Sequence, residues 1–341
     1  MTESKMTAYS RRDFIQNGIK FGAAMVASSR NVFAGKKKAA PSPTGYVHDD
    51  RYLEHKLFGN HPESPARLIA IQKAMRRSDL IEDVLPLPLS GDPLAAIKLI
   101  HTRKHIDNIS ARFKKSAPIA ELAVKGSLCA VQAVSEGVVR NAFCSIRPPG
   151  HHAENTGREE GFCFYNNVAV AAKYAQQVLG YKKILIIDWD YHHGNGTETA
   201  FYSDPSVLFF STHDKRAYPG TGKPSRRGKG DGEGYNINVH LNCGAKDRDV
   251  LKAFDDILIP AAEDFKPDFI LISAGFDSRK NDLLGCFRFT DIGFLKLTKR
   301  VMKLADSYCD GRIVSLLEGG YNVEGLANAV VAHVSTLAGK A

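Results

Sequence analysis

Short apolar runs rich in Val, Ile, Leu and Phe alternate with longer helical patterns along most of this chain. Nearly every run is followed at once by a cluster of Gly, Pro, His or Asp. The runs fall at 142–146, 183–187, 207–210, 235–239, 269–272 and 313–317, with helical patterns at 166–179, 250–265 and 291–308 between them. Strands that alternate with helices predict a parallel sheet flanked by helices. Runs such as KILII and FILI, apolar without interruption, suit strands buried on both faces. The expected fold class is α/β, a single-domain three-layer α/β/α arrangement around a central, mainly parallel sheet.

The polar clusters then acquire a meaning. RPPGHHA follows the first run, DWDYHHGNG the second, STH the third, SAGFDS the fifth and EGGYN the sixth. In an open α/β sheet the carboxyl ends of the strands face one crevice, so motifs far apart in sequence meet there.

Asp188, Asp190 and His192 alternate just past a strand end. In an extended chain they lean to one side, so that Asp190 and His192 can ligate one ion with Asp188 behind them. Asp277 supplies a third ligand. Two carboxylates and an imidazole leave a coordination position open, as catalytic zinc requires. A plainer reading is that Asp188 and Asp190 cap a turn and His192 is a satisfied polar residue. His151 and His152 follow the stiff Pro148-Pro149-Gly150 segment. A neutral imidazole there can take a proton from an activated water and return it to a leaving amine. Asp188 and Asn195 are the candidates to orient the two rings. Tyr321, after Gly319-Gly320, has a hydroxyl suited to stabilising an oxyanion.

The net charge of +9 sits largely at the start of the chain. Residues 1–38 hold eight Lys or Arg against Glu3 and Asp13, which leaves 38 basic against 35 acidic side chains elsewhere. A body so near neutrality has no footprint for a polyanion, so nucleic acid is not an expected partner. Ser10-Arg11-Arg12-Asp13-Phe14-Ile15, an apolar stretch from Gly18 to Ser29 and Val32-Phe33-Ala34 resemble a twin-arginine (Tat) export signal at 1–34. The resemblance implies the Tat translocase as partner and a periplasmic or secreted protein; an N-terminal arm of a cytoplasmic protein is the alternative. KKKAAPSPT opens a linker over 35–45, and the domain is expected over 46–341. No stretch reads as a membrane span in the mature protein. The six cysteines are widely spaced without a CxxC pair, so buried thiols are expected, although export permits a disulfide.

Taken together, RPPGHHA, GFCFYNN, DWDYHHGNGTE, SAGFDS and LEGGYN resemble the histone deacetylase family, of the arginase/deacetylase fold, over residues 46–335. HPESPAR at 61–67, Glu318 and Asn195 are similar to its class II branch. The resemblance implies one Zn2+ on Asp190, His192 and Asp277, with His152 as general base and acid. His151 paired with Asp188 then lends electrostatic support, and Tyr321 polarises the substrate carbonyl. Asp188 and Ser211 match part of a K+ site. Gly161, Phe162, Tyr218 and Leu284 correspond to the walls and mouth of a narrow tunnel for an acylated lysine side chain or a small acylated amine. The implied activity is hydrolysis of that linear amide to acetate and a free amine.

Three departures refine the expectation. Gly275 stands where the two-metal arginases need another aspartate, so one metal is expected. Leu284 stands where some acetylpolyamine amidohydrolases, the rival reading, carry a glutamate at the tunnel mouth. Family members often have an aspartate in the loop at 113–126 that grips the substrate backbone; no aspartate is placed there in this chain, and Glu121 is only a candidate. A catalytically inactive acyl-lysine binder is a further alternative, disfavoured because all ligands, both histidines and the tyrosine are present.

Overall fold

The protein is described here from a computed structural model covering residues 43–57 and 59–341. The signal read at 1–34 and most of the linker lie outside the described residues. Eight strands form the sheet: β1 (Thr44–Val47), β2 (Val84–Pro86), β3 (Asn141–Cys144), β4 (Ile184–Asp188), β5 (Val207–Asp214), β6 (Asn236–Leu241), β7 (Phe269–Ala274) and β8 (Ile313–Leu317). Their order is β2-β1-β3-β8-β7-β4-β5-β6, and every neighbouring pair is parallel.

The apolar runs do what their composition dictates. Ile184 to Ile187 and Phe269 to Ile272 are sealed from solvent, because helices cover both faces. Helix Val323–Leu337 packs on both Ala66–Arg77 and Asp291–Tyr308, while Ala117–Ser135 packs on Asn167–Gln177 and on β1, β3 and β8. Motif residues also start helices. Asn166 and Asn322 accept hydrogen bonds from the backbone N–H of Ala169 and Gly325, the side-chain caps that favour Asn there.

The structure departs from the sequence reading in several places. β1 and β2 were not foreseen, being only four and three residues long, and β1 begins inside the stretch read as linker. β5 runs on to Asp214, so the STH motif lies within a strand rather than after it. Most of 113–126 is not a loop, since the helix Ala117–Ser135 occupies it. That helix is long and apolar enough to cross a membrane, which the sequence reading denied of any segment; 72% of its most apolar window is buried inside the fold, where the sheet rather than lipid takes its apolar surface. Cys243 and Cys286 form a disulfide with their Cα atoms 5.2 Å apart, and the other four cysteines are buried thiols.

Candidate active site

The five strands that carry the motifs, dispersed in sequence, are the five contiguous central strands β3-β8-β7-β4-β5. Their carboxyl ends therefore deliver every motif to one crevice. Asp190 and His192 leave β4, and Asp277 follows β7. One candidate ligand atom from each lies within 4.8 Å of the others, the single such group of His, Cys, Asp and Glu among the described residues. His192 Nδ1 lies 3.2 Å from Asp190 Oδ1 and 3.0 Å from Asp277 Oδ2. The remaining carboxylate oxygens are held by backbone donors: Gly319 N–H to Asp190 Oδ2 at 2.8 Å and Tyr191 N–H to Asp277 Oδ1 at 2.9 Å.

Among the described residues neither carboxylate pairs with Lys or Arg. Burial and the neighbouring Asp190 charge push Asp277 up to about 7. Two buried carboxylates that repel one another beside an imidazole are a donor set for a divalent cation. Glycine makes room for this crowding. A Cβ at Gly275 would stand 1.9 Å from Asp190 Oδ2, and one at Gly319 would stand 2.1 Å from Asp277 Oδ2. No second aspartate fits at 275 without displacing Asp190, which agrees with a one-metal site.

The tandem histidines sit beside this trio with ring centroids 4.0 Å apart. His151 Nδ1 meets Asp188 Oδ2 at 2.9 Å, and His152 Nδ1 meets Asn195 Oδ1 at 2.8 Å. Burial alone would lower His151, but the Asp188 and Asp190 carboxylates outweigh it and raise it to about 10. His152 is held well below the usual histidine range by burial and by the charge of His151. Neighbouring groups driven apart in this way divide the labour: His151 carries charge, and His152 is neutral and able to accept a proton. Asp188 and Ser211 stand opposite one another on β4 and β5, with the Ser211 hydroxyl bonded to His213 Nδ1 at 2.9 Å.

Tyr321 is buried, and its ring faces the Arg67 guanidinium at 5.1 Å and the edge of Phe162 at 5.9 Å. Tyr218 is half exposed, with its ring 5.0 Å from that of His152. Gly161 adopts φ +53°, and a Cβ there would strike His152 Cδ2 at 2.3 Å, so only glycine leaves the ring its place. Leu284 is 39% exposed. Glu121 does not join this group; it sits on the helix Ala117–Ser135 with Asp92 and Lys125 as its charged neighbours.

Sequence reasoning noticed HPESPAR and Glu318 only as branch markers and missed their work. Arg67 donates to the carbonyls of Gly320 at 2.6 Å and Glu318 at 2.5 Å, fixing the turn that bears Tyr321. Glu63 anchors Arg67 at 3.2 Å and Arg147 bidentately at 2.6 and 2.7 Å, all three fully buried. Glu318 accepts from the backbone N–H groups of Gly150 at 2.6 Å and His151 at 3.2 Å, which clamps the turn before the histidines. A glutamate and two arginines in motifs otherwise rich in Gly and Pro were the available signal, but their partners lie on distant segments.

Known proteins resemble this chain in sequence and in fold. The family model for the Histone deacetylase domain matches residues 61–337. A "Probable deacetylase" of Archaeoglobus fulgidus is 39% identical over 298 residues, covering 83% of this chain and 82% of the relative. "Histone deacetylase 15" of Arabidopsis thaliana is 37% identical over 331 residues, covering 90% of this chain and 58% of the relative's length. The crystal structure of the HDA15 HD domain superposes with a TM-score of 0.83 at 36% identity, covering 89% of this chain and 90% of that one. Its parallel sheet and layered helices are the arginase/deacetylase fold, and by domain match and by sequence the chain belongs to the histone deacetylase family, whose activity is hydrolytic deacylation.

Proposed function

We propose that this chain is a zinc-dependent hydrolase of N-acetyl-lysine or a similar acylated amine, releasing acetate and the free amine. The observation that carries the reading is the Asp190, His192 and Asp277 trio, its two carboxylates buried, with His152 beside it and held well below the usual histidine range. A divalent cation held there would supply Lewis acidity toward the amide oxygen and would lower the pKa of a water to about 7. His152 then removes the proton from the attacking water and passes it to the departing nitrogen. His151, charged through Asp188, steadies the negative charge that develops, and Tyr321 donates its hydroxyl to the oxyanion. Phe162, Gly161 and Tyr218 guide the acyl-amine stem and exclude bulk water. A K+ ion beside Asp188 and Ser211 belongs to the same reading.

Selectivity at the mouth is the second issue. Leu284 offers no charge to a polyamine, and the nearby Asp282 carboxylate is consumed by the backbone N–H groups of Leu284, Tyr321 and Asn322. Acetyl-lysine peptide is therefore expected to outperform acetylated polyamines in a side-by-side assay with zinc supplied. Leu284→Glu should raise kcat/KM for an acetylated polyamine relative to the peptide by about tenfold, since a hydrogen bond to a charged group contributes about 1.5–3 kcal/mol. A wild type that prefers the polyamine would sink the lysine assignment.

We also propose export by the Tat route to the periplasm or beyond. The Cys243–Cys286 disulfide supports that address, because Cys243 is exposed and such bonds persist in oxidising compartments. A reporter fused after Ala34 is expected outside the cytoplasm, and inside it when Arg11 and Arg12 are both changed to Lys. Cytoplasmic retention of the unaltered fusion decides against export.

A further inference from the structure

His152 can accept a proton on Nε2 only in the tautomer that carries its hydrogen on Nδ1. Asn195 is poorly suited to choosing that tautomer unaided. Its amide has an acceptor at one end and a donor at the other, nearly equal in shape, and the flipped form would present N–H to Nδ1 and favour the opposite tautomer. An aspartate, with acceptors at both ends, would have no such ambiguity.

The structure resolves the ambiguity one residue further out. Asn195 Nδ2 donates to Glu154 Oε1 at 2.9 Å while its Oδ1 faces His152 Nδ1 at 2.8 Å. An ionised carboxylate cannot donate, so a flipped Asn195 would set two acceptors against each other at hydrogen-bond distance. The other contact of Nδ2, with the His152 carbonyl at 3.5 Å, is at the limit of a hydrogen bond. Thr199 Oγ1 donates to the same Glu154 oxygen at 3.2 Å, and the Glu154 N–H is tied to Glu160 Oε2 at 3.0 Å. Glu154 borders an open cleft of about 440 Å³.

We propose that Glu154 is a positioning residue that holds the Asn195 amide in one orientation and thereby selects the His152 tautomer with Nε2 free to accept a proton. The proposal rests on the reading of His152 given above and adds to it a requirement for Glu154.

The test is a double-mutant cycle in the full chain with zinc and an acetyl-lysine peptide. Glu154→Ala should lower kcat about tenfold with KM unchanged, well short of the ~10⁴-fold cost of a wholly wrong tautomer. Glu154→Gln, which keeps an acceptor but adds a donor, should lose less. In the Asn195→Asp background Glu154→Ala should instead raise kcat, because an aspartate needs no orienting and is relieved of a neighbouring carboxylate. ¹⁵N spectra of the His152 ring in the chelated protein should show one Nδ1-protonated form in the wild type and a mixture in Glu154→Ala. Equal losses of kcat in both backgrounds with unchanged ¹⁵N spectra, or no loss in either, overturn the proposal. Activity that survives His152→Ala strikes instead at the reading of the site itself, so the two failures are distinguishable.

Discussion

Asp277→Asn should lose activity by ~10³-fold or more and, once chelated, unfold at the same temperature as the chelated wild type or a higher one. The first effect follows from losing an anionic ligand and with it several kcal/mol of charge stabilisation, where about 4 kcal/mol corresponds to a factor of 10³. The second has a less obvious origin. Asn keeps an oxygen to accept the Tyr191 N–H, so the local fold is retained. What disappears is a buried carboxylate forced close to Asp190, whose proton affinity is raised to about 7 by burial and that neighbour. For an acid with a raised folded-state value the native state binds more protons than the unfolded chain, so stability falls as pH rises from about 4 through 7. The chelated wild type should show that fall, and the variant should show less of it. Zinc should raise the melting temperature of the wild type, because binding to the native state stabilises it, and leave the variant nearly unmoved. Calorimetry with and without zinc, beside an acetyl-lysine assay, checks both. A variant that keeps wild-type activity and the zinc-dependent shift would falsify the ligand assignment.

The contrast between what this chain announced and what it concealed follows from how each feature is encoded. Strands such as β4 and β7 were legible because burial on both faces demands unbroken apolar runs. The crevice was legible because each motif directly follows such a run, and the contiguous order β3-β8-β7-β4-β5 is the physical reason those motifs meet. β1 and β2 are too short for a periodic signal, and β2 is an edge strand with two of its three side chains exposed. The STH motif misled because Ser211 and His213 are polar residues inside a strand, satisfied by each other. The buried Glu63, Arg67 and Arg147 network was invisible for a different cause. A charge in sequence is ordinarily solvated, and only the fold brings segments 84 and 253 residues apart to cancel its cost. Pairing of Cys243 with Cys286 depended likewise on tertiary proximity.

Tyr321→Phe is expected to lower kcat by about 10²–10³ while KM changes little, the effect of removing one preorganised donor from an oxyanion site. The geometry makes this substitution unusually clean. The ring is held by the Arg67 guanidinium and the Phe162 edge, and its backbone N–H is held by Asp282 Oδ2 at 2.7 Å. None of these contacts involves the hydroxyl, so stability should shift by no more than about 1 kcal/mol. Gly320, at φ +120°, and the two carbonyls gripped by Arg67 set the turn independently of the side chain that follows. Burial, reinforced by the Asp277 charge, raises the phenol well above its usual value. It therefore stays protonated and able to donate across the neutral and moderately alkaline range, and the wild type should show no loss of activity from Tyr321 ionisation below pH 10. If Tyr321→Phe instead raised KM in proportion and spared kcat, the hydroxyl would be binding the ground state, and the oxyanion would need another donor. A stabilising role confined to the transition state requires the opposite split, and that split is what a phenol held by its ring and aimed by its backbone is built to give.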